Sequence, residues 1–500
     1  MPAKQQTPGV YIEKNAFPSM AVAVETAIPV FIGYTEKAEW NGKSLIDKPT
    51  RITSLAEYVE RFGVAFRAKF RLGDNDPTME QKIFAVGTKQ MVLKMNINHT
   101  SYLYNSIRLF YANGGGPCYI LAVNTYQDKK DGFEITIDDF LGSTTKVDPF
   151  ELLKNEFDPT LVVVPDAIAL GEACYSIYAK ILAHCAAVQH CFGIFDLAKQ
   201  LPSDSTSAIV DSFREKIGEN NLKYGAAYYP WLKTSIVQPD EVTFENLDAS
   251  IDLETILPPS EAAAIEVVKK YKANIAPTDI DKLNYHKALK ATSTTYNSIL
   301  AEIRSELNEL PPSAAMAGLY AAVDNSRGVW KIAANISVTM VNAPTINISA
   351  EQQENLNVDV RTGKSINSIR TFPGVGTLVW GGRTLDGNSQ GWRYINVTRT
   401  FIMIEQSLKL AAQAYVFEPN NANTWGSVRY MMMNFLTSLW KQGALAGAAP
   451  EQSFDVQIGL GSTMTATDLL DGIMRIAVKV AIAHPYEFIE ITFQQQMQQS

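Results

Sequence analysis

Two kinds of apolar pattern alternate along the chain. Ile28–Tyr34, Cys118–Val123 and Leu161–Val164 are unbroken apolar runs of strand length, the pattern of strands covered on both faces. Between them lie stretches with helical spacing. Leu55–Phe62 follows Ser54 as an N-cap, Glu172–Gln189 lies between Leu161–Asp166 and the strand-like Cys191–Leu197, and Ser207–Gly218 comes next. A strand–helix–strand order of this kind predicts an α/β core. At Arg108–Val123 a helix ends, Asn113-Gly114-Gly115-Gly116 turns the chain, and a strand begins. Lys223–Trp231 is an aromatic-rich strand ending at a proline.

The pattern changes at Ser260–Leu310, which is rich in Ala, Glu and Lys and bracketed by Pro258-Pro259 and Pro311-Pro312. It predicts a helical insertion on the outer surface, with a long helix over Leu283–Leu307. The last quarter predicts a small α+β domain. Trp392–Val397 is strand-like. Phe401, Ile404, Leu408, Ala411 and Tyr415 line one helix. Trp425, Val428, Met432, Phe435, Leu439 and Trp440 line a second, between Asn423/Thr424 and Gly443. A third helix would start at Thr465 or Thr467, turn Leu469, Leu470, Ile473, Ile476, Ala477, Val480 and Ala481 inward, and present Asp468, Asp471, Arg475 and Lys479 outward. Both ends of the chain carry β-type segments, Thr7–Glu13 and Phe488–Phe493. Neither is stable alone, and an open edge there is an aggregation hazard, so each is expected to pair with a sheet elsewhere.

Composition narrows the class. Five hundred residues with 46% hydrophobic and 19% charged residues describe a globular chain of several domains. A net charge of −8 and no dense Lys/Arg run argue against nucleic-acid binding. No apolar stretch reaches the roughly 18–20 residues needed to cross a bilayer, and Met1–Gln6 lacks the apolar segment of a secretory signal. Synthesis and assembly in a cytoplasm are therefore expected. Cys118, Cys174, Cys185 and Cys191 sit in apolar surroundings and read as reduced core residues.

The motifs that suggest chemistry fail on context. Gly387-Asn388-Ser389-Gln390-Gly391 fits the G-x-S-x-G expression, which requires a strand before and a helix after. Here a polar turn precedes a strand-like run, so a serine hydrolase at Ser389 is only the alternative reading. Thr362-Gly363-Lys364-Ser365 resembles the end of a Walker loop, but Val358 stands where glycine is required. The glycine run at 114–116 precedes a strand, the reverse of a phosphate cradle. His184-Cys185 and His190-Cys191 lack a zinc-finger spacing. No catalytic residue, cofactor or metal is expected.

A series in the second half carries a family resemblance: Pro311-Pro312-Ser313, Gly318-Leu319-Tyr320, Arg327-Gly328-Val329-Trp330 and Ala333-Ala334-Asn335. With Thr7–Glu13, Phe372–Leu385 and Val416–Asn420, it resembles the contractile tail-sheath proteins of phages, R-type bacteriocins and phage-tail-like injection systems. One departure is Ile332-Ala333, where many relatives have Ala-Pro. The resemblance implies an N-terminal linking arm (1–27), an outer α/β region (28–257), the helical insertion (258–312), a return to the outer domain (313–368), a C-terminal sheath domain (369–485) and a second linking arm (486–500). It implies a structural subunit that polymerises around an inner tube, with baseplate and terminator or cap proteins as further partners and no membrane insertion. Val10, Tyr11, Ile12 and Glu13, with Phe488, Ile489, Glu490, Ile491 and Phe493, would add strands to a neighbour's sheet. Asp468, Asp471, Arg475 and Lys479 would face the tube. A non-contractile cap or baseplate-proximal relative is the other sheath-like possibility.

Overall fold

The computed structural model describes residues 21–74, 83–86, 89–95, 100–127, 134–200, 205–485 and 487. The chain forms two compact units: residues 25–399 with the segment after His484, and residues 400–484 with the segment before Glu25.

The larger unit is built on a nine-stranded sheet. Its strand order is Ile336–Ser337, Gly376–Trp380, Asn367–Phe372, Gly225–Tyr229, Phe192–Asp196, Leu161–Val163, Pro29–Thr35, Cys118–Thr125 and Thr50–Ile52. The central strands are parallel, from Asn367–Phe372 across to Cys118–Thr125. The flanks are antiparallel: Ile336–Ser337 pairs Gly376–Trp380, and Thr50–Ile52 pairs Cys118–Thr125. The apolar runs read from the sequence are these central strands, and Val30, Phe31 and Ile32 are completely buried. Ser54 caps the helix Leu55–Phe62, as expected.

Two buried aspartates at strand ends organise the helices. Asp166, just past Leu161–Val163, accepts from the backbone N–H of Tyr34 (2.7 Å), Tyr102 (2.6 Å) and Leu103 (3.1 Å), satisfying the first orphan donors of helix Leu103–Ala112. Asp196 ends its own strand and accepts from Ser313 N–H at 2.8 Å and Ser313 Oγ at 2.5 Å, at the start of helix Ser313–Arg327. Burial pushes the Asp196 carboxyl up to about 7, against the lowering effect of the two serine bonds. The folded state therefore holds a proton that the unfolded chain has lost above about pH 4. The associated stability is fully present below that pH and is lost as pH rises through about 7. A melting series should show the unsubstituted chain losing stability relative to Asp196→Asn across this window; parallel curves would refute the assignment.

The insertion departs from expectation at one point. Leu283–Leu307 is two helices, Asp279–Thr292 and Thr294–Leu307, because Ser293 breaks the run. Its side chain accepts from Tyr296 N–H at 2.8 Å and caps the second helix. With Ala262–Lys272, these helices share a core with Phe70, Leu93, Val237, Val242 and Leu253.

In the smaller unit, helix Ala422–Lys441 buries Val428, Met431, Met432, Phe435, Leu436 and Leu439. Its N-cap is Asn421, two residues ahead of the expected cap, with Oδ1 accepting from Asn423 and Thr424 N–H. Beside it lies the antiparallel pair Phe454–Ile458 and Ile476–Val480.

The helix Ile395–Ala412 runs through the division between the units. It corrects the strand expected over Trp392–Val397: only Tyr394 makes a β-bridge, with Arg383, and Ile395 already opens the helix.

Candidate assembly interface

The sequence series beginning at Pro311 is a set of contacts around one helix. Ser313 engages Asp196. At Gly318 an added Cβ would lie 2.5 Å from the carbonyl oxygen of Phe110, so helices Ser313–Arg327 and Leu103–Ala112 approach here too closely for a side chain. Tyr320 hydrogen-bonds Tyr228 (hydroxyl to hydroxyl, 2.7 Å) and lies under the guanidinium of Arg399, 4.6 Å from the ring centroid. Asp324 pairs with that guanidinium through both oxygens, at 3.1 and 2.5 Å. Gly328, at φ +90°, ends the helix, and its N–H donates to Asp324 O. The carbonyl of Trp330 accepts from Asn396 Nδ2, and Asn335 N–H reaches Val379 O at 2.7 Å.

Thr26 joins the Arg399–Asp324 pair. Its carbonyl accepts from Arg399 Nη2 at 2.8 Å and its hydroxyl donates to Asp324 at 2.6 Å. A second arginine, Arg383, is equally buried. Its Nε donates to Glu487 Oε1 at 2.9 Å, its Nη2 pairs with Glu487 Oε2, and its Nη1 donates to Asn357 O at 3.1 Å. Tyr394 adds a hydroxyl bond to Glu487 at 3.3 Å. The Glu487 bonds raise the Arg383 pKa further. Asp324 stood inside the motif region read from the sequence, but neither arginine pairing was legible there.

The residues expected to link subunits, Val10, Tyr11, Ile12, Glu13, Phe488, Ile489, Glu490, Ile491 and Phe493, lie outside the described residues. The four charged residues assigned to one tube-facing helix do not share one. That helix is Ala466–Leu470, which Thr465 and Asp468 close with a capping box. Asp471 is its C-cap, and Gly472, at φ +70°, turns the chain away. Arg475 folds back onto Asp468 Oδ1 at 2.8 and 3.0 Å, which holds the Asp468 carboxyl well below the usual carboxylate range. Lys479 lies on the strand opposite Asp455. The β-branched alternation of Ile476-Ala477-Val478-Lys479-Val480 pairs with Phe454–Ile458 in preference to extending the helix.

That two-stranded sheet has no third strand among the described residues. Ile476, Ala477, Val478 and Val480 are only half-buried on it. A pair this small is marginal by itself, and the Val456 carbonyl in it accepts from Arg429 Nε at 2.9 Å.

The other sequence motifs are absorbed into the fold. Ser389 Oγ accepts from Trp392 N–H within a turn, and the next helix begins only at Ile395. Lys364 donates to the Arg214 carbonyl and is buried. Among the described residues no group of three His, Cys, Asp or Glu side chains could hold a metal, and no helix is long and apolar enough to cross a membrane.

Residues 388–496 match the family model of the phage tail sheath C-terminal domain. The whole chain superimposes on the sheath of the PVC extracellular contractile injection system in its contracted state, with 28% identity, TM-score 0.61 and 99% of both chains covered. Its fold is that of contractile sheath proteins. The contracted helical sheath of the anti-feeding prophage is similar at 27% identity and TM-score 0.59, covering 98% of this chain and all of that one. A chain in the anti-feeding prophage baseplate matches at 27% identity and TM-score 0.57, covering 99% of this chain and all of that one. The tail sheath protein of Vibrio phage KVP40 is 22% identical over 36% of this chain, and the match spans only 27% of that protein.

Proposed function

We propose that this protein is the subunit of a contractile sheath that polymerises helically around an inner tube and drives it through a target envelope. The end-to-end likeness to a contracted injection-system sheath carries the reading. The terminal arms 1–27 and 486–500 add strands to a neighbour's sheet, and the open pair Phe454–Ile458/Ile476–Val480 is the natural acceptor. Such a head-to-tail link does not close on itself and so generates rings and helices. Each subunit then moves nearly as a rigid body, with the arms as hinges, into a shorter, wider lattice that buries more surface. The energy resides in the kinetically trapped extended assembly, so neither catalysis nor nucleotide is needed. Further partners are the tube, baseplate and cap proteins, and the particle assembles in a bacterial cytoplasm before release.

The purified chain, alone or with its tube partner, should form hollow striated cylinders in negative-stain images. Monomers or single rings under all assembly conditions would defeat this reading. They would favour a baseplate-proximal relative, for which the likeness to the anti-feeding prophage baseplate chain is the supporting observation.

A further inference from the structure

The chain passes between its two units after Val24, after Arg399 and after His484. Each passage is pinned to the larger unit within three residues, and two buried arginines do the pinning. Arg399 lies at the second passage and holds Thr26, just beyond the first, by its main-chain carbonyl, while Asp324 takes the Thr26 hydroxyl. Arg383 holds Glu487, just beyond the third, through a two-pronged carboxylate bond.

A segment that merely tethers runs over the surface with its backbone solvated. Here the side chains of Arg399 and Asp324 are 6% and 3% exposed and that of Arg383 is 5% exposed. Opening either contact would leave a cation out of water without its partner, which costs far more than an exposed ion pair yields. The geometry also needs arginine specifically. One guanidinium serves Asp324, the Thr26 carbonyl and the Tyr320 face, and the other serves Glu487 and the Asn357 carbonyl. A lysine ammonium cannot match that planar set.

We propose that Arg399 with Asp324, and Arg383 with Glu487, are root clamps. They fix the roots of the two terminal segments, at Thr26 and Glu487, on the larger unit, so that a second copy of this chain meets each arm at a set position. The proposal rests on the strand-linked sheath reading and adds which residues set the geometry of the link. Arg383 and Arg399 are positioning residues, acting through the segments they hold.

The test uses the full-length chain with Glu487→Gln, Arg383→Lys and Thr26→Ala, the last of which leaves the Arg399–Asp324 pair in place. Each variant is compared with chains shortened by residues 1–20 or 488–500. Unpolymerised subunits should keep their melting temperature, while hydrogen exchange rises at residues 24–26 or 485–487. The association constant for subunit addition should fall by roughly tenfold, equivalent to about 1.4 kcal/mol, and the layer lines of any cylinders should blur. Glu487→Asp should recover part of the loss. Variants that polymerise normally, while the shortened chains do not, would overturn the clamps and leave the linked sheath standing. Shortened chains that still polymerise would overturn the linked-sheath reading and the clamps with it. A fall in melting temperature that accounts for all lost polymer would assign the arginines to folding alone, and the proposal would fail.

Discussion

Shortening the chain by residues 488–500 is expected to leave a folded subunit that no longer builds long cylinders. The removed segment reads as a strand, and the pair Phe454–Ile458/Ile476–Val480 lacks a third member among the described residues. Each main-chain hydrogen bond between an arm and such an edge contributes about 0.5–1.5 kcal/mol net. Four or so bonds per junction would thus separate a persistent polymer from a transient one. The strands and helix caps described for the larger unit are all formed by other residues, so its melting temperature should barely move. Sedimentation and negative-stain imaging read the outcome directly. Long cylinders from the shortened chain would show that the copies are joined by other surfaces.

Gly318→Val is expected to act on the opposite property, the folding of the larger unit itself. The new Cβ would sit 2.5 Å from the Phe110 carbonyl oxygen and 3.0 Å from Asn113 Cβ, and the first of these is backbone that cannot rotate away. The helices Leu103–Ala112 and Ser313–Arg327 would have to separate. That would loosen the N-terminal bonds to Asp166 and Asp196 and the turn at Gly114, whose φ of +91° and near-contact with Ala322 leave no slack. Overpacking of this kind costs up to about 3 kcal/mol. Gly318→Ala should lie below that and Gly318→Val close to it, measured by denaturant midpoints. Equal midpoints for glycine and valine would mean that the crossing is looser than drawn.

The parts of the fold that were legible in the sequence are those in which one local pattern allows one structure. Ile28–Tyr34 and Leu161–Val164 are apolar at every position, which suits a strand covered on both faces, and they lie at the centre of the sheet. Misreadings fall where a pattern satisfies two periods. Leu469, Leu470, Ile473, Ile476, Ala477 and Val480 fit helical spacing, yet the last three also sit on a strand. Asp471-Gly472 was the available stop signal. Ser293 was a similar cue inside Leu283–Leu307, outweighed by the apolar residues on either side. The arginine clamps carry no periodicity at all. Arg399 meets Asp324 and Thr26, and Arg383 meets Glu487, across long separations in the chain, and only the folded sheet brings them together.

The flanks of the nine-stranded sheet end in Thr50–Ile52 and Ile336–Ser337, strands of three and two residues that run against their neighbours. Edges so short offer almost no template to a passing chain. Newly made copies can therefore accumulate at high local concentration without their large sheets zipping together.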